Sequence, residues 1–292
     1  NFFSCLLRAL GNSTVPLVFL AFSALLNIAL DLLFVAVFSF GIAGAALATI
    51  IAQYVSGIGI LLYVLFRCRD LLPNKQELHF DRQILKEIIS LSSMTCVQQS
   101  VMNFGILMVQ GLVNSFGDTV MAAFAAAVKI DTFAYLPVQD FGNAYSTFIA
   151  QNYGAGNKER IRKGTRQAFL LSSAFSVMIS ALVCLFVAPL MKIFVSAKEN
   201  GVIVSGVQYL RIEGACYIGI GLLFLLYGYY RAIKRAEMSV ILTIISLGTR
   251  VALAYVLSGF MGATGIWLAI PIGWALADIC GLICMRFPKY RI

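Results

Sequence analysis

The chain has 292 residues, of which 60% are hydrophobic and 12% are charged, and its formal net charge is +9. A soluble globular domain carries about 25% charged residues, so the composition excludes an ordinary soluble protein and favours the lipid bilayer. The positive charge does not predict a nucleic-acid partner, because the basic residues cluster in short linkers rather than on a surface interleaved with aromatic side chains.

Eight apolar segments are each long enough to cross a membrane, which takes about 20 helical residues. In chain order they are 14–38, 42–66, 91–115, 119–150, 166–195, 201–230, 237–259 and 263–286. The fourth, fifth and sixth are long, which predicts tilted helices or ends that project beyond the bilayer. The sequence therefore predicts an all-α polytopic membrane protein with eight transmembrane helices.

Lysine and arginine are concentrated in alternate connections between these segments. The basic connections are 67–89, 151–166, 231–235 and 286–291, and the others hold few positive charges or none. Positive residues remain on the cytoplasmic side of a membrane, and an even number of spans puts both ends on one side. We therefore expect a multi-pass protein of the cell (inner) membrane, with both termini of this chain in the cytoplasm.

Two apolar helical pairs, far apart in the chain, share a loose sequence pattern. Residues 8–48 and 231–269 align so that Arg8 matches Arg231. After a two-residue shift in the turn, Gly41 and Gly44 match Gly262 and Gly265. Internal repeats of this kind are typical of secondary transporters, whose halves rock around a central site.

No known catalytic or metal-binding motif is present. The seven cysteines lie mostly inside apolar runs without metal-ligand spacing, and the only histidine, His79, lies in a linker. Phosphate-loop, hydrolase and metalloprotease patterns do not occur. We expect no enzyme, no metal and no cofactor, so uphill transport would be driven by a gradient of H⁺ or Na⁺.

The third segment carries a polar stripe. Its members recur at helical spacing and fall within a stripe about 60° wide: Ser92, Gln99, Asn103, Gln110, Asn114 and Gly117. Polar groups in hydrocarbon are costly unless satisfied. The stripe therefore predicts one wall of an aqueous cavity, with interhelical hydrogen bonding as the alternative.

The fourth segment is the most polar and has Pro137 in its middle, which frees a backbone carbonyl. Broken helices in transporters line cavities. In a straight helix Lys129 and Asp140 share one face, and Asp131 lies opposite unless a kink rotates it. These three residues are candidates for the transport pathway, with a structural ion pair between Lys129 and an acid as the alternative.

Further ionisable residues lie in the apolar segments. Asp31 follows Asn27 by four residues, on the same face, and is a candidate contact for coupling ion or substrate, or else an acid at the membrane interface. We expect Glu213 and Asp278 to be solvated near helix ends. Arg250 lies deeper and needs an acidic or carbonyl partner.

Several segments resemble the multidrug and toxic compound extrusion (MATE) family. They are R-A-L-G-N-S-T-V-P at 8–16, N-I-A-L-D at 27–31, G-I-A-G-A-A-L-A-T-I-I-A-Q at 41–53 and F-I-A-Q-N-Y-G-A-G-N-K-E-R at 148–160. The resemblance implies two six-helix lobes and cation-driven export through a central cavity. On that plan the chain supplies helices five to twelve and is an N-terminally truncated fragment.

The same plan implies a division of the chain. Residues 1–66 would end the N-lobe, 67–89 would form a cytoplasmic interlobe loop, and 90–292 would form the six-helix C-lobe. One branch of the family binds its cation with acids in the seventh and tenth helices. Here the seventh offers Gln98 and Gln99, and the tenth has only Glu213 near its start, so Asp131 and Asp140 are the C-lobe acids available.

These observations predict a cation-coupled antiporter that exports small lipophilic or cationic drugs by alternating access. We expect it to act as a monomer in the lipid bilayer. The candidate pathway residues are Asp131, Asp140, Gln99, Asn103, Asp31 and Lys129. The alternative is a lipid-linked saccharide flippase of a related fold, which needs several cavity cations; Lys129, Arg211 and Arg250 are the candidates.

Overall fold

A computed structural model describes residues 2–71 and 80–287, and every regular element in these ranges is a helix. The middle of the predicted interlobe loop, with His79, lies outside the described residues, as do the last basic residues, Lys289 and Arg291. The described chain divides into two compact units, residues 1–82 and 83–292.

The first unit contains three α-helices. They are α1 (Phe2–Ala9), α2 (Thr14–Asp31) and α3 (Gly41–Arg67). A π-helical segment, Leu32–Val37, continues α2, and a short 3₁₀ turn, Arg69–Leu71, follows α3. Two hydroxyl groups hold α2 against α3: Ser23 donates to the Ala52 carbonyl at 3.0 Å, and Ser56 donates to the Phe19 carbonyl at 3.3 Å.

The second unit contains eight α-helices within the described residues. They are α4 (Arg82–Asn114), α5 (Asp118–Gly154), α6 (Lys158–Leu185), α7 (Val187–Phe194), α8 (Asn200–Gly214), α9 (Tyr217–Ala232), α10 (Ala236–Met261) and α11 (Ala263–Cys284). The α5 helix packs against α6, α8 and α9, and α10 packs along α11.

The described helices confirm the predicted all-α membrane protein. Seven spans are long and apolar enough to cross a bilayer, and the bent pair α8–α9 gives an eighth if it counts as one span. The prediction of one long helix over 201–230 is wrong, because α8 and α9 meet at an angle of 51°. The break follows Gly214, a residue with low helix propensity.

Two further helix predictions need correction. The predicted span 166–195 is interrupted, since α6 ends at Leu185 and α7 begins at Val187. Pro189 explains this break: it has no N–H to donate to the carbonyl four residues earlier, and proline is tolerated only in a first turn. By contrast, α5 is not broken at Pro137 and remains helical through to Gly154.

The two aligned sequence segments form the same local structure. Gly41 and Gly262, which match in the alignment, adopt φ values of +57° and +60° at the start of α3 and at the N-cap of α11. Such values favour glycine. A Cβ at Gly44 would lie 3.0 Å from the Cβ atoms of Phe34 and Phe40, and one at Gly265 would collide with the Leu257 backbone. The repeated glycines therefore have the same two roles. Gly41 and Gly262 allow the chain to turn, and Gly44 and Gly265 allow the preceding segment to pack closely against the helix.

In the second unit, the α5 and α9 backbones touch at a pair of glycines. A Cβ at Gly142 would lie 2.9 Å from the Phe224 carbonyl oxygen, and one at Gly228 would lie 2.6 Å from the Gly142 carbonyl oxygen. Small residues at helix crossings in membranes permit this close approach. The contact fixes α5 against α9, the two helices that carry much of the site described below.

We predict that Gly142→Ala and Gly228→Ala each destabilise the protein by about 1–3 kcal/mol through overpacking. Gly111→Ala on α4 is the matched control, because a Cβ there meets no atom within 4 Å; it should be neutral or stabilising, since alanine is the better helix former. Thermal unfolding of the purified variants in detergent measures this difference. Equal stability of all three variants would contradict the close crossing.

Candidate functional site

The second unit encloses a cavity of about 350 Å³ between α4, α5, α8, α9, α10 and α11. Its polar lining residues are Asn103, Gln110, Asp131, Tyr135, Gln139, Tyr209, Glu213, Tyr217, Tyr227, Ser246 and Arg250. The remaining lining residues are apolar or aromatic. A concave, mostly apolar site with a few convergent polar groups is typical of small-molecule binding.

Two carboxyl groups are buried at this cavity. Asp131 on α5 is 4% exposed, and Glu213 on α8 is 6% exposed. The Tyr217 hydroxyl donates a hydrogen bond to Oδ1 of Asp131. Among the described residues, Oδ2 of Asp131 and Oε2 of Glu213 have no hydrogen-bond partner. Unpaired buried carboxylates cost several kcal/mol each, so the pair favours a proton or another cation as its partner.

The local sequence explains why these side chains meet. On α5, Asp131 lies on the face that also buries Ala127, Ala134 and Val138, at spacings of three and four. Glu213 ends the buried face of α8 just before the bend, and its carbonyl accepts from the Cys216 amide at 2.9 Å. The α9 helix then begins at Tyr217. The bend therefore brings Glu213 and Tyr217 to Asp131 from one short stretch of chain.

Arg250 on α10 supplies the positive charge of the cavity. It lines the cavity, and its buried Nε has no hydrogen-bond partner among the described residues. It interacts electrostatically with both Asp131 and Glu213, although no ion pair within 4.0 Å forms in the part of the chain that the structure describes. The sequence predicted that Arg250 needs an acidic or carbonyl partner without identifying it, and in the structure Arg250 lines the same cavity as two acids.

An aromatic cluster forms part of the cavity wall. Phe124 and Trp267 stack with ring centroids 5.6 Å apart, and Tyr209 contacts Trp267 edge-on at 4.9 Å. Phe124 and Tyr209 themselves line the cavity. An aromatic wall beside buried acids suits a lipophilic cation, because burial and attraction of the charge to ring faces and carboxyls act together.

Two of the six predicted pathway residues line the cavity, and the other four do not. Asp131 and Asn103 line the cavity, as does Gln110 of the predicted polar stripe. Gln99 and Asp140 are exposed and lie outside the cavity lining. Lys129 is also exposed, and its ammonium group lies 6.0 Å from the centre of the Phe194 ring, so it is not the partner of Asp131.

The expectation that Glu213 and Asp278 are solvated is wrong. Each is only 6% exposed. Glu213 is buried because it lies at the bend of a span and not at its outer end. Asp278 packs close to Gly219, where an added Cβ would lie 3.6 Å from its carboxyl.

Asp31 belongs to the first unit. It is half-buried, and its Oδ1 has no hydrogen-bond partner among the described residues. The π-helical segment begins at the next residue, Leu32, and π-helical turns are frequent at functional sites. The amide of Asn27, one turn earlier, donates to the Thr49 hydroxyl at 3.4 Å.

Comparison with known proteins identifies the family. The MatE family model matches residues 93–256. The chain is 30% identical over its whole length to the probable multidrug resistance protein YpnP of Bacillus subtilis, and it covers 65% of that protein. It is 28% identical to the probable multidrug resistance protein NorM of Thermotoga maritima, with 95% of this chain and 60% of that protein covered. The chain thus spans less than two thirds of the length of these relatives.

Solved structures show the same fold. A variant of the Vibrio cholerae MATE transporter VcmN matches with a TM-score of 0.90 at 22% identity, over 99% of this chain and 66% of that one. A MOP superfamily transporter from Pyrococcus furiosus matches with a TM-score of 0.89 at 24% identity, over 96% and 63%. The family model covers more than half of the chain, and the chain therefore belongs to the MATE family, whose members are multi-pass membrane transporters and not enzymes.

Proposed function

We propose that the protein is a cation-coupled antiporter that exports lipophilic organic cations from the cell by alternating access. The observation that carries this proposal is the buried pair Asp131 and Glu213, with one unpaired oxygen on each, in a cavity with an aromatic wall. The relatives named as multidrug resistance proteins support the substrate class.

The charges of the cavity suggest how ion and substrate exclude each other. With Asp131, Glu213 and Arg250 all ionised, two negative charges face one positive charge. A proton on either acid makes the set neutral, and so does a bound organic cation. Because a low-dielectric site tolerates little net charge, proton and drug compete for the same negative charge, and this competition is the basis of antiport.

We propose H⁺ rather than Na⁺ as the coupling ion. A hard metal cation needs several oxygen ligands, and the described lining offers two carboxyls and a few hydroxyl and amide groups. A proton needs only one free carboxyl oxygen, and both Oδ2 of Asp131 and Oε2 of Glu213 provide one.

The competing function, transport of a lipid-linked saccharide, has less support from the cavity. A diphosphate headgroup requires several cations around it. Of the three basic candidates, Arg250 alone lines this cavity, whereas Lys129 and Arg211 are exposed and outside its lining. Two buried acids would repel a diphosphate, so the cavity fits a cationic substrate better.

We also propose a division of the chain into lobes and an orientation in the membrane. Residues 1–66 would complete one lobe, 67–89 would connect the lobes, and 90–292 would form the second lobe. The alternation of basic connections supports placement in the cell membrane with both ends of this chain in the cytoplasm. We propose that the protein acts as a monomer.

We predict that Asp131→Asn and Glu213→Gln each reduce ethidium efflux by about tenfold or more, equivalent to losing about 1.4 kcal/mol of interaction. The amides keep the shape of the side chains but remove the charge for which proton and drug compete. Efflux from pump-deficient cells measures this loss, and membrane levels of the variants should equal that of the wild type.

Asp118→Asn is the matched control, because Asp118 lies on the same helix but is exposed and outside the cavity. It should export normally. Normal efflux from both Asp131→Asn and Glu213→Gln would remove the acid pair from the mechanism.

A further inference from the structure

A second cavity in the second unit has no role in the proposed transport mechanism. It has a volume of about 610 Å³ and lies beside the N-terminal end of α6. Three of its lining residues are basic, namely Lys158, Arg162 and Arg166. Its other lining residues are Glu159, Ile161, Thr165, Tyr229 and Met285. We call this cavity the basic groove.

The positive charges of the basic groove are not neutralised within the described protein. Lys158, Arg162 and Arg166 follow one another at intervals of four residues and share one face of α6. None of them has a carboxylate within 4.0 Å among the described residues. The one acid of the groove, Glu159, pairs instead with Lys163 at 2.7 Å.

The groove lies where a membrane span meets water. The first turns of α6 are strongly basic, and the same helix then becomes apolar enough to cross a bilayer. The other walls come from the same end of two neighbouring spans: Tyr229 lies near the end of α9, and Met285 follows the end of α11. We therefore expect the charged side chains of α6 to line a space at the depth of lipid headgroups.

We propose that the basic groove binds the phosphodiester headgroup of an anionic phospholipid such as phosphatidylglycerol. Arginine presents a planar fork that matches phosphate oxygens, and basic pockets between transmembrane helices suit anionic headgroups. Ile161 and Met285 supply apolar surface beside these charges. The Thr165 hydroxyl is held at 2.8 Å from the Tyr145 hydroxyl, which fixes the inner wall. The binding does not depend on the proposed antiport.

Binding of short-chain lipids to the purified full-length protein in detergent tests the proposal. Native mass spectrometry counts bound dioctanoyl phosphatidylglycerol, and dioctanoyl phosphatidylcholine is the zwitterionic comparison. We expect phosphatidylglycerol to bind more tightly, and Arg162→Gln combined with Arg166→Gln to weaken it by about tenfold or more, because each basic residue near a membrane surface adds to the attraction. Arg162→Gln alone should give part of this loss.

Lys192→Gln combined with Lys198→Gln is the control of equal charge change. Both lysines are exposed, and neither lines the groove. This control should bind phosphatidylglycerol as the wild type does. Equal losses in the two double variants, or no loss in either, would overturn the proposal. Displacement of the lipid by equimolar inorganic phosphate would also overturn it, in favour of a site for free phosphate. Elution of each variant as a single species confirms that the comparison is between folded proteins.

Discussion

The burial of two carboxyl groups in an apolar helical bundle is the constraint on which the rest of the second unit depends. Asp131 and Glu213 are almost fully buried, and each keeps an oxygen that has no hydrogen-bond partner among the described residues. Hydrocarbon and close-packed side chains do not stabilise such oxygens. The proposed alternation between a bound proton and a bound organic cation would give these oxygens a partner in each state.

The helices around this pair are arranged so that the acids stay together. Direct backbone contact at Gly142 and Gly228 fixes α5 against α9, and the bend after Gly214 sets Glu213 beside the helix that carries Tyr217. Arg250 reaches the same cavity from α10. A rigid crossing and a local bend thus fix the positions of three charged groups from three different helices.

Hydropathy was sufficient to predict the class of fold, because a backbone in hydrocarbon must satisfy its hydrogen bonds as helix. It also predicted eight spans, of which seven are single helices and the eighth is the bent pair α8–α9 if that pair counts as one span. The repeat of Gly41 and Gly262 also has a local cause, a turn that requires positive φ. The bend between α8 and α9 was missed because residues 201–230, taken together, are apolar and long enough to be read as one span. The sequence shows that an acid at Asp131, inside an apolar segment, is energetically costly to bury. Its pairing with Glu213 and Arg250 depends on packing between helices far apart in sequence, which helical periodicity does not encode.

Ethidium efflux from pump-deficient cells that express the full-length protein, with the proton and sodium gradients collapsed separately, is the most direct test of proton-coupled drug export. If coupling is to protons, efflux stops when the proton gradient is collapsed and continues when only the sodium gradient is removed. Efflux that persists without a proton gradient would contradict proton coupling through Asp131 and Glu213. Absence of efflux from a protein shown to be in the membrane would contradict drug export itself.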